Sequence, residues 1–153
     1  MGKQLPPREH HLIPKATNLF ASSQLVPGFP VRHFSSTGTS VSLAEFLQLL
    51  KEKCVCVIDV REHAELKKDG EIPGCVSVPI GDLPKALVMD PYLFEHRYKA
   101  RMPRKQVQIV FTCLAGIRGK TAMETARSLG YRYVSIYKGG WKEWALAAEK
   151  TNR

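Results

Sequence analysis

Cys113 lies in the stretch Phe111-Thr112-Cys113-Leu114-Ala115-Gly116-Ile117-Arg118-Gly119-Lys120, where a buried-strand pattern passes through a short glycine-containing loop into a helix-forming segment. A thiol at that junction is placed to act as a thiolate. A helix N-terminus presents unpaired N–H groups and partial positive charge, and Arg118 adds a full charge nearby. No separate general base is then required. The small residues of the loop let backbone N–H groups turn inward as a nest that would hold an anion or the terminal sulfur of a persulfide. The chemistry implied is nucleophilic: Cys113 takes up an electrophilic atom and passes it to a second nucleophile.

The other reactive side chains fit ordinary structural roles. Cys54 and Cys56 lie on one short apolar run and share a face, and Cys75 opens another such run, so all three read as inert buried thiols. The four cysteines show neither paired C-x-x-C spacing nor a dense disulfide pattern, which points to a reducing compartment and away from zinc. No metal and no organic cofactor is expected. Three of the five histidines precede residue 40, and His63 and His96 fall in polar helical stretches that would face solvent. The run from Leu114 to Thr121 nearly copies a P-loop, but Leu114 stands where the first glycine is required, and no second motif for magnesium accompanies it.

These residues need a frame to position them. Ser42-Leu43-Ala44-Glu45 has the form of a capping box before an apolar periodic run, which predicts a helix to about residue 53. Buried strands are predicted at 54–60, 75–78, 107–112 and 133–137, and helices at 62–68, 82–89, 92–99, 120–129 and 141–149, with Gly139-Gly140 read as a turn. Strands alternating with helices over short connections give an α/β fold: a central parallel sheet with helices on both faces. In that architecture ligands bind at the carboxyl ends of the strands, and Cys113 stands at one.

The chain has 153 residues with 44% hydrophobic and 24% charged residues, enough for one domain at about 41–150. Its apolar runs are far shorter than the roughly 20 residues that cross a bilayer, so no membrane partner is expected. A formal charge of +9 is spread along the chain instead of forming one phosphate-tracking run, which suits small anionic substrates as well as nucleic acid, and a small anionic donor with no nucleic-acid partner is expected. Residues 1–40 hold Lys3, Arg8, Lys15 and Arg32 against the single acid Glu9. Such a basic, hydroxyl-containing segment reads as a mitochondrial matrix presequence, with processing near Arg32-His33-Phe34, or as a disordered tail on a cytoplasmic protein.

The ordered motifs resemble those of the rhodanese-like (thiosulfate sulfurtransferase) family, in its small single-domain form. Ile58-Asp59-Val60-Arg61-Glu62 is similar to its early strand motif, Gly70-Glu71-Ile72-Pro73-Gly74-Cys75 to its following turn, Cys113 to Arg118 to its active-site loop, and Gly139-Gly140-Trp141 with Trp144 to its closing signature. The resemblance implies a rhodanese-like fold and a double displacement. Cys113 takes a sulfane sulfur from thiosulfate or a related small anionic donor, then yields it to cyanide, glutathione or a protein thiol. It further implies that Leu114, Ala115, Gly116, Ile117, Arg118 and Gly119 cradle the persulfide, that Arg118 helps hold the donor's anion, and that Asp59 and Arg61 brace the loop from the neighbouring strand end. Two departures stand out: Glu71 where many members carry His, and Cys75 where Ala is usual.

Two further readings compete. Phosphatases of this fold have five residues between Cys and Arg, whereas only four separate Cys113 from Arg118, a cradle better sized for sulfur than for a phosphoryl group. A non-catalytic binding or sulfur-carrier module would share the fold, and a carrier would share the thiol, so fold alone does not decide the matter. The segment 83–105, with His96, Arg97, Lys99, Arg101, Arg104 and Lys105, is the expected source of donor or partner selectivity.

Overall fold

The structure is a computed structural model that describes residues 40–53 and 55–152. The N-terminal segment read as a presequence or tail lies outside the described residues, except for Ser40, and so does Cys54.

Five strands, β1 (Ser40–Val41), β2 (Cys56–Asp59), β3 (Val76–Ser77), β4 (Ile109–Thr112) and β5 (Val134–Tyr137), form one sheet in the order β1-β5-β4-β2-β3. All four pairings are parallel, as the short α/β alternation predicts. The helices are α1 (Leu43–Glu52), α2 (His63–Asp69), α3 (Leu83–Ala86), α4 (Pro91–Tyr98), α5 (Ile117–Ser128) and α6 (Gly140–Thr151).

Strand residues alternate between two covered faces. Ile58, Val60, Ile109, Phe111, Val134 and Ile136 pack with Leu83 and Ala86 of α3, Phe94 of α4, and Ala122, Met123 and Ala126 of α5. On the other face Phe46 of α1 stacks on Tyr137 at 4.1 Å between ring centroids, and Trp141 of α6 lies over Arg61. Both faces are closed, so the strand ends are where chemistry can reach the backbone.

The Ser42 capping box forms as read: Ser42 N–H donates to Glu45 Oε2 at 2.7 Å and Glu45 N–H to Ser42 Oγ at 3.3 Å. The sequence reading missed β1, because two residues are too few to show a period. Residues 82–89 supply only one turn of helix, α3. Gly139-Gly140 is no free turn, since α6 starts at Gly140.

Asp59 and Arg61 close the fold at the carboxyl end of β2. Arg61 Nη2 lies 2.8 Å from Asp59 Oδ2, with the two side chains 0% and 2% exposed. The same Nη2 donates to the Gly70 carbonyl at 3.0 Å, and the guanidinium sits 4.8 Å from the Trp141 ring centroid. One cation thus ties β2, the end of α2 and the start of α6 together. Asp59→Ala would strand a buried guanidinium without its counter-charge, and urea unfolding should show a loss of about 3–5 kcal/mol.

Candidate active site

Cys113 follows directly on β4, the central strand of the sheet, and the chain turns through Leu114 and Ala115 into α5. Gly116 makes that turn possible. Its φ is +90°, a conformation that side chains with a Cβ avoid, and a Cβ there would stand 2.7 Å from the Lys138 carbonyl oxygen. In this conformation the Gly116 N–H donates to Cys113 Sγ at 3.0 Å. The nest expected from the sequence therefore has a defined first member, aimed at the sulfur and standing at the N-cap of α5.

Cys113 is only 1% exposed. A reactant has to enter the concavity of the loop to meet the sulfur. Ile117 projects outward at 84% exposure, Ala115 is exposed, and Leu114 and Arg118 are half-buried. Gly119 is buried within the first turn of α5, where a Cβ would be 3.6 Å from Ile136, so its place is under the helix where it meets the sheet.

The outer side of the loop is held by α6. Trp141 N–H donates to the Cys113 carbonyl at 2.8 Å and Lys142 N–H to the Leu114 carbonyl at 3.3 Å. These amides belong to the first turn of α6, which has no side-chain cap, so the loop carbonyls satisfy otherwise unpaired donors. Gly140 is what lets the two backbones approach: a Cβ on it would lie 2.4 Å from the Cys113 oxygen. Those two carbonyls turn toward α6, while the Gly116 N–H turns toward the sulfur.

Arg118 is more constrained than the sequence suggests. Its Nη1 and Nη2 donate to Glu65 Oε2 at 2.5 Å and Glu65 Oε1 at 2.7 Å, a two-point pair with side chains 31% and 26% exposed. The Arg118 guanidinium holds the Glu65 carboxyl down to about 2, against an ordinary 4.5. Glu65 Oε2 also accepts from the Glu62 N–H at 2.8 Å, so one carboxylate joins the start of α2 to the active-site loop. Glu65 was not among the residues singled out from the sequence. Its one local signal is the Glu at the third helical position of α2, which marks a cap and nothing more.

Other candidates fall away. Cys56 packs into the core on the α5 side, and burial pushes its thiol up to about 12. Cys75 lines a small cleft with Asp59, Leu66 and Ile72 on the α2 side, and burial pushes its thiol up as well. Both remain protonated, inert thiols on opposite faces of the sheet. His63 and His96 are exposed. Among the described residues no group of three His, Cys, Asp or Glu gathers as a metal site.

The last part of the basic segment expected to shape selectivity, residues 101–105, is displaced from the thiol. Lys105 lies against Gly130, and the Tyr131 hydroxyl donates to the Pro103 and Leu87 carbonyls at 3.4 and 3.0 Å, all at the end of the sheet where β4 and β5 begin. A parallel strand has to be entered from that end, so Arg101, Arg104 and Lys105 are carried to the side opposite Cys113.

Gly116→Ala should strain the turn and withdraw the N–H that reaches Sγ. The rate of Cys113 alkylation by iodoacetamide at neutral pH should fall roughly tenfold, as expected for loss of one hydrogen bond to a charged acceptor.

Comparison with known proteins agrees with this geometry. The Rhodanese-like domain model matches residues 42–147. The chain is 43% identical over 111 residues to mouse (Mus musculus) thiosulfate sulfurtransferase/rhodanese-like domain-containing protein 3, covering 72% of this chain and 71% of the relative. It is 39% identical over 106 residues to the human thiosulfate:glutathione sulfurtransferase, covering 69% and 91%. The solved structure of the human single-domain sulfurtransferase TSTD1 superposes with a TM-score of 0.67 at 37% identity, covering 71% of this chain and 96% of that one. With the family model matched over residues 42–147 and a thiol at the end of a central parallel strand, beside a short loop and a helix N-terminus, the chain belongs to the rhodanese-like family.

Proposed function

We propose that the chain is a thiosulfate sulfurtransferase that works by double displacement through a persulfide on Cys113. The observation that carries this reading is the Gly116 N–H held 3.0 Å from Cys113 Sγ at the start of α5, where a thiolate or a terminal persulfide sulfur is stabilised. In the first step the thiolate attacks the outer sulfur of thiosulfate. The S–S bond of the donor breaks, sulfite leaves with the bonding pair, and Cys113 carries the sulfur as a persulfide anion. In the second step an acceptor thiolate attacks that terminal sulfur, takes it as its own persulfide, and returns Cys113 to the thiolate.

Leu114, Ala115, Gly116, Ile117, Arg118 and Gly119 form the loop and first turn around the transferred sulfur, and Arg118 meets the oxyanion end of the donor. Asp59 and Arg61 support the loop through Trp141 and do not touch the reactants. Glutathione as acceptor is supported by the name of the human relative. A matrix location for the chain, with residues 1–40 as its presequence and 41–150 as the working domain, is supported by the acid-poor N-terminus and by two relatives. Those proteins, from Saccharomyces cerevisiae and Schizosaccharomyces pombe, bear "mitochondrial" in their names. Among the described residues no helix is long and apolar enough to cross a membrane.

Intact-protein mass spectrometry after thiosulfate treatment tests the reading. One sulfur should be gained, be absent from Cys113→Ser, and be discharged by glutathione or cyanide. A chain that gains no sulfur from thiosulfate, glutathione persulfide or mercaptopyruvate would be a binding module instead.

A further inference from the structure

The Arg118–Glu65 pair bears on which donor the loop accepts. Arg118 is the residue assigned to the donor's anionic end, yet both of its Nη atoms are already donated to one carboxylate. That carboxylate comes from a different element, α2, and is anchored there by the Glu62 N–H. With the carboxyl held down to about 2, it remains charged wherever the thiol reacts. A guanidinium has five N–H donors in a fixed fork, and the pair occupies its Nη1/Nη2 edge, one that presents two parallel N–H groups to an oxyanion. An incoming sulfonate group has to displace Glu65 from that edge or share Arg118 with it.

We propose that Glu65 is a positioning residue that sets donor specificity: it acts as a latch on Arg118, competing with donors whose negative charge adjoins the transferred sulfur. This rests on the reading of Arg118 as the donor's anion contact. Thiosulfate, with a sulfonate bonded directly to its outer sulfur, pays the full competition. A glutathione persulfide carries its carboxylates several bonds from the sulfur and does not need the Arg118 fork. The latch therefore tilts the enzyme away from small dianionic donors and toward persulfides of larger thiols, without altering the nucleophile.

Glu65→Gln removes the charge while keeping an oxygen for the Glu62 N–H, because either Glu or Gln completes a capping box. Binding is read without chemistry on the Cys113→Ser background, by NMR titration with thiosulfate. The Gln variant should bind thiosulfate about three- to tenfold more tightly, the range expected when one partly exposed two-point ion pair stops competing. Glu65→Asp, which keeps the charge, should stay closer to the parent. In the Cys113-containing protein, sulfur loading should half-saturate at correspondingly lower thiosulfate for Glu65→Gln, with no shift for glutathione persulfide. On an Arg118→Ala background the Glu65→Gln effect should vanish. Unchanged, weakened or undetectable thiosulfate binding in the Gln variant overturns the latch, as does an equal shift for both donors or for Glu65→Asp. Failure of the parent protein to form any Cys113 persulfide, by contrast, overturns the sulfurtransferase reading, and the titration on the Ser background still decides the latch.

Discussion

The buried guanidinium of Arg61 is the constraint on which the site's geometry depends. A charge at 0% exposure has to be paired, and here Nε and Nη2 donate to Asp59, Nη2 also to the Gly70 carbonyl, and the Trp141 ring lies against the guanidinium, while Nη1 has no hydrogen-bond partner among the described residues. Each partner belongs to a different element, so satisfying one charge fixes the relative placement of β2, α2 and α6. Because Trp141 is also the residue whose N–H holds the Cys113 carbonyl, the placement passes directly to the loop. The ion pair's role is thus geometric. Replacing it with apolar side chains of similar size would spare the desolvation penalty but would remove the reason for Trp141 to stand where it does.

A second consequence concerns the three described cysteines. Cys56 and Cys75 differ from Cys113 in what their sulfurs meet. Burial pushes the Cys56 thiol up, and burial together with the nearby Asp59 carboxylate pushes the Cys75 thiol up. Cys113 is as covered as either, but it stands at a strand end where the backbone must turn. The turn delivers the Gly116 amide to the sulfur. Burial that silences a thiol inside the sheet becomes, one residue past the sheet, exclusion of water from a site whose polar groups are already aimed.

Most of this was legible in the sequence because it is local. A β-branched run, a cysteine, a glycine within three residues and a helical stretch specify the strand, turn and N-terminus with no information from elsewhere in the chain. The capping box of α1 is legible for the same reason. What could not be read were pairings across long separations and short elements. Glu65 and Arg118 are 53 positions apart, and neither position hints at the other. Gly140 reads as a turn because its neighbour is also glycine, while its actual role, allowing α6 to approach the Cys113 carbonyl, appears only when the two backbones are seen together. The segment 83–105 was read as a source of donor or partner selectivity because charge shows in a sequence, whereas the end of the sheet that its last part, 101–105, occupies follows from the direction of β4.

The loop can be short because its two faces are given different work. The Cys113 and Leu114 carbonyls are used on the outside by α6, and the Gly116 amide is aimed at the sulfur, so one turn of chain serves both as a structural joint and to present a donor to the thiol. A longer loop would have to provide its own carbonyl partners or leave them to water, and would widen the cavity beyond what one sulfur atom fills. The charge at the mouth follows the same economy. Arg118 does not wait for substrate as a bare cation but is held in position by Glu65, which orients the fork and limits its attraction for small anions in general. Such a site selects by how closely a donor's charge is joined to the sulfur it gives up, a criterion that neither the thiol nor the cradle can apply alone.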